Sequence, residues 1–154
     1  MAYNYNRMSY NYNKEGRMAI WGGHKPATSA ALLVLLTKAS AGGASFSYAE
    51  RVLFVACEFW AAVRNRTLHD YLTDDAQTKI REAEEAFGAM RLTGVGALLR
   101  RGYLESTGAD PPRSLAQMAA HMEDQLAHIE EPVDEAIEQF VCRWLSDQQR
   151  RDVT

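Results

Sequence analysis

The spacing His121-x-x-Asp124-x-x-x-His128 has the residue types of a metal site, two imidazoles and a carboxylate at i, i+3 and i+7 on one side of a helix. That side lies opposite the apolar stripe of the same segment, where solvent is expected. A fourth ligand and a supporting shell are missing from the pattern, and the Glu-x-x-His pair of di-iron helical bundles is absent. His121, Asp124 and His128 are therefore only a weak metal candidate, and no cofactor is expected.

Other catalytic groupings are poorer still. His69-Asp70 and Cys57-Glu58 are sequence neighbours, and adjacent positions on a helix point apart. Gly94-Val-Gly96 has too few glycines, and no preceding strand, to cradle a phosphate. His24 follows Gly22-Gly23 in a loop without a partner group in view. No nucleophile can be combined with a base and an orienting group by spacing, so the chain reads as a non-enzyme. The two cysteines, Cys57 and Cys142, sit far apart within apolar helical patterns and read as reduced core thiols.

Two charged regions are better suited to binding than to catalysis. Between residues 123 and 138 there are seven carboxylates and no Lys or Arg. Glu130, Glu131, Asp134, Glu135 and Glu138 in that stretch form a candidate acidic docking face for a basic protein. At the other end, Ala2-Tyr-Asn-Tyr-Asn-Arg-Met8 is followed at once by Ser9-Tyr-Asn-Tyr-Asn-Lys-Glu15, a seven-residue repeat. Tyr3, Tyr5, Tyr10, Tyr12 and Trp21 can stack on unpaired bases, while Arg7, Lys14, Arg17 and Lys25 can follow a phosphate backbone. Arg64, Arg66, Arg100 and Arg101 could extend that basic surface. The same composition also suits an arm that packs on its own domain or joins a partner protein.

These groups must be carried by secondary structure, and the chain changes character near residue 25. The Tyr/Asn alternation has period two, which is strand-like, so residues 1 to 25 are expected as an extended or hairpin-like arm. From Pro26 onward the period is helical. A first helix runs from about Pro26 to Ser40 and stops at Gly42-Gly43. Ser47-Tyr-Ala-Glu50 is a capping box opening a central helix from about 48 to 72, which is apolar all round its axis between Val52 and Val63.

Asp74 and Asp75 precede a helix with Ile80, Ala83, Phe87 and Met90 at helical spacing. Val95 to Leu104 forms a shorter one, ended near Gly108 and Pro111-Pro112. Ser114 or a residue near it starts a helix with Leu115, Met118, Met122, Leu126 and Ile129 on one face. Pro132 leads a last helix bearing Ile137, Val141 and Trp144. The expected architecture is all-α, a bundle of five or six helices in one domain, 26 to 154, around the central helix.

Composition sets the remaining bounds. The chain has 154 residues, 47% hydrophobic and 24% charged, enough to bury a core without metal or disulfide. Its net charge of −3 hides a split: residues 1 to 66 carry eight Lys/Arg against three Asp/Glu, and residues 67 to 154 carry nine against seventeen. Such asymmetry suits two kinds of partner. Basic residues ahead of the apolar run from Ala30 to Leu36, and Ala39-Ser-Ala41 after it, have the outline of a secretion signal. A long tyrosine-rich lead and the intervening Lys38 argue against one, and the run is too short to span a bilayer.

The sequence is thus expected to specify a cytoplasmic helical subunit of a larger assembly, a nucleoprotein complex in particular. It would meet single-stranded nucleic acid or protein through its basic aromatic half. An acidic inhibitor or immunity-type protein is the alternative, and a metal-dependent enzyme a minor one.

Overall fold

The computed structural model describes residues 26–41 and 46–153, and among them the chain is entirely helical, with seven α-helices and no strand. The segment expected as an arm, residues 1 to 25, lies outside the described residues. The helices are α1 (Pro26–Ser40), α2 (Tyr48–Arg64), α3 (Leu68–Leu72), α4 (Ala76–Ala89), α5 (Thr93–Gly108), α6 (Leu115–Ala127) and α7 (Val133–Val153).

The count exceeds the five or six expected because the segment from 48 to 72 is two helices. After Arg64 the chain passes through Arg66 at φ 56°. The Thr67 N–H bonds to the Ala62 carbonyl at 2.9 Å, and that of Arg66 to Val63 at 3.3 Å. This is a Schellman stop, a closure that usually falls on glycine because a left-handed backbone crowds any Cβ. With arginine there, no sequence signal marks the break. The same closure ends α4, where Arg91 has φ 64° and the N–H groups of Leu92 and Arg91 reach Phe87 and Gly88 at 2.8 and 3.0 Å.

The chain divides into two compact units. One contains α1, α2 as far as Phe54, and α7 from Asp134. Here Leu35, Leu36 and Ala39 of α1 are buried, as are Ile137, Val141 and Trp144 of α7 at i, i+4 and i+7. The expected capping box is present: the Glu50 N–H donates to Ser47 Oγ at 3.2 Å, and the Ser47 N–H to Glu50 Oε1 at 3.1 Å. Lys38 of α1 reaches the same carboxylate at 2.6 Å, and Phe46 packs on Phe54 with ring centroids 5.4 Å apart. Burial alone would raise the Glu50 carboxyl, but the Lys38 ammonium and the Ser47 donors hold it below its ordinary value.

The other unit is Val55–Val133. From Ala56 to Val63 every residue of α2 is buried, in keeping with its apolar circumference. Phe59 meets Tyr71 of α3 and Phe87 of α4 edge to face, at 5.8 and 5.9 Å between centroids. Helix α5 packs on α4 and on α6, and α3 packs on α6 and touches α4. The contact of α5 with α6 is close at Gly102, where a Cβ would stand 3.2 Å from Met122 Cε. Asp75 caps α4 by accepting from the Thr78 N–H at 3.2 Å, and Ser114 with Gln117 forms a capping box on α6.

Candidate functional surfaces

The metal-like triad does not assemble. Asp124 turns its carboxylate to Arg66, 2.9 Å from Nη1, and His128 Nδ1 faces the Asp124 carbonyl at 2.9 Å. His121 is half-buried, while Asp124 and His128 are exposed. Among the described residues no group of three or more His, Cys, Asp or Glu is placed to hold a metal ion. Both cysteines are free thiols, but only Cys57 is a core residue; Cys142 lies exposed on the outer side of α7. Its neighbours Val141 and Trp144 take the buried positions of that helix.

The arginines read from the sequence have different fates. Arg66 is an ion-pair residue, held by its left-handed backbone near α6 and bonded to Asp124, with Glu123 Oε2 at 3.8 Å. Glu123 is itself buried beneath this pair and accepts from the Leu68 N–H at the start of α3. Burial pushes its carboxyl above the ordinary range, against the pull of that N–H and of Arg66. Arg64 is exposed at the end of α2. Arg100 and Arg101 are exposed side by side on α5, Arg101 with Glu105 at 4.0 Å. Tyr3, Tyr5, Arg7, Tyr10, Tyr12, Lys14, Arg17, Trp21 and Lys25 lie outside the described residues.

The acidic residues also divide. Glu130 and Glu135 are exposed, and Asp134 and Glu138 are half-buried. Glu131 has an internal role. Its Oε1 accepts from the Val95 N–H at 2.6 Å, at the third residue of α5. The N-cap of that helix is Leu92, which has no side-chain acceptor. Glu131 therefore supplies from 36 residues away the cap that α5 lacks locally. Gly94 makes the approach possible, since a Cβ there would fall 2.5 Å from the same oxygen.

Comparison of the chain with protein-family models, with curated proteins and with solved structures finds no match.

Two features carry information that residue spacing did not single out. Leu33 and Val34, consecutive on α1, are 39% and 50% exposed. They lie within Ala30 to Leu36, which was legible as apolar, but which side of it faces outward is a tertiary fact. The second is Glu58, 5% exposed within the all-buried stretch of α2. No helix among the described residues is long and apolar enough to cross a membrane.

Proposed function

We propose that the chain is a non-catalytic helical subunit of a larger nucleoprotein assembly, docking on a protein through α1 and meeting single-stranded nucleic acid through its basic aromatic N-terminal segment. The observation that carries the reading is the open aliphatic pair Leu33 and Val34. On a helix that buries Leu35, Leu36 and Ala39, two neighbouring aliphatic side chains left open to solvent are the kind of surface that closes on assembly. Arg100 and Arg101 are exposed on α5, where an anionic partner could reach them, and the split of charge along the sequence supports two unlike partners. The inhibitor reading draws on Glu130 and Glu135, the exposed pair of the five candidate carboxylates, and loses Glu131 to the fold.

Binding of the full-length chain to a labelled single-stranded oligonucleotide, titrated with salt, tests the nucleic-acid half. Affinity should fall linearly with the logarithm of salt concentration, and removal of residues 2 to 17 should abolish binding. No binding at low salt, or undiminished binding after the deletion, would reject it. For the docking half, Leu33→Asp with Val34→Asp should leave the circular-dichroism spectrum helical and prevent co-purification of the native partner. Retention of the partner by that variant would reject α1 as the docking side.

A further inference from the structure

Glu58 lies in the all-buried stretch of α2, and its Oε2 is closed off from solvent with no hydrogen-bond partner. An ionised carboxylate in such a place leaves that oxygen with neither water nor a donor, so the neutral acid is the form that the packing favours. The charged groups acting on it come from α4: Lys79, which attracts the carboxylate form, and Glu82, which repels it. Lys79 is already engaged. Its Nζ donates to the Tyr71 carbonyl at 2.6 Å and lies 5.1 Å from the centre of the Tyr71 ring. That ring packs edge to face on Phe59, the residue after Glu58. One buried acid, one lysine bound to a carbonyl of α3, and two aromatic rings thus share the junction of α2, α3 and α4.

We propose that Glu58 keeps its proton in the folded protein and makes this junction an acid-favoured lock, which loosens when the bared carboxylate draws Lys79 away from the Tyr71 carbonyl. Burial pushes the Glu58 carboxyl up to about 8 from an ordinary value of 4.5, with Lys79 opposing the rise and Glu82 adding to it. The sign of the linkage follows. Between those two values the folded protein binds a proton that the unfolded chain has lost, so stability falls as pH rises through the window. Above the folded value it levels off. One extra proton corresponds to a folding constant that drops up to about tenfold per pH unit.

The test is urea unfolding of the full-length chain between pH 5 and 9, wild type beside Glu58→Gln, with the Glu58 side-chain carboxyl followed by carbon-13 NMR. The ratio of the two folding constants should fall with pH across the window and flatten above about pH 8. Contributions from Glu123 and Glu50, common to both proteins, cancel in that ratio. Lys79→Met should move the Glu58 titration upward and Glu82→Gln downward, and a Tyr71 ring resonance should shift with the wild-type midpoint. Parallel curves for the two proteins would overturn the proposal, as would a motionless Tyr71 signal. Should Glu58→Gln fail to fold, the wild-type titration decides alone: a midpoint above about 6 supports the lock, and one at or below it refutes it.

Discussion

Glu131 shows how a single side chain can change meaning once its partner is known. In sequence it is one of a run of carboxylates; in the fold it caps the first turn of α5 by accepting the Val95 N–H. A side-chain cap is typically worth about 1 kcal/mol, within roughly 0.5 to 2. Glu131→Ala should therefore lower the unfolding free energy by about that amount in a urea titration. Gly94→Ala should have a similar effect for a different reason, because the new methyl displaces the same carboxylate. The two losses share one interaction, so the double variant should be hardly worse than either single one. Strict additivity would show that Gly94 matters independently of the cap.

At the scale of elements, the informative positions are the two arginines that stop α2 and α4. A non-glycine residue in the left-handed region carries a backbone cost of order 1 kcal/mol or more. At Arg66 the side chain gives something in return, an ion pair with α6. Arg91 is exposed, and its place in the stop is a matter of backbone hydrogen bonds alone. Arg91→Gly should thus stabilise the protein by up to about 1 kcal/mol, read as a raised denaturation midpoint with unchanged slope. Arg91→Ala, which keeps a Cβ in the same conformation, should give no such gain. Equal midpoints for the two variants would remove backbone relief as the explanation.

Across the whole molecule, two compact units each bury their own apolar side chains, and the longer buried run of α2 belongs to Val55–Val133. Phe59 is the side chain there with two aromatic partners and no solvent exposure. Truncating a fully buried phenylalanine costs about 3 to 5 kcal/mol. Against a net stability of about 5 to 15 kcal/mol, that is roughly a fifth or more of the total. Phe59→Ala should lose most of its helical circular dichroism well below the wild-type melting temperature. A melting temperature within a few degrees of wild type would mean that α2 is not the spine of this unit.

Much of the helical layout was legible in the sequence because its causes are short-range. Apolar recurrence at three and four residues, the Ser47 and Glu50 box and the Ser114 start act within a turn or two, and each appears in the structure where the residues place it. The break at Arg66 escaped because a left-handed arginine has no compositional mark, and the outward turn of Cys142 because α7 is apolar along only part of its circumference. Which carboxylates are surface and which are internal was settled only by tertiary contacts. Glu131 meets Val95 across 36 residues and Arg66 meets Asp124 across 58, while Glu58 is buried in a stretch of α2 whose Phe59 packs on rings of α3 and α4. Helix formation answers to hydrogen bonds and spacing inside one segment, whereas a polar group's environment depends on which helix faces meet, a choice made by packing between segments distant in sequence.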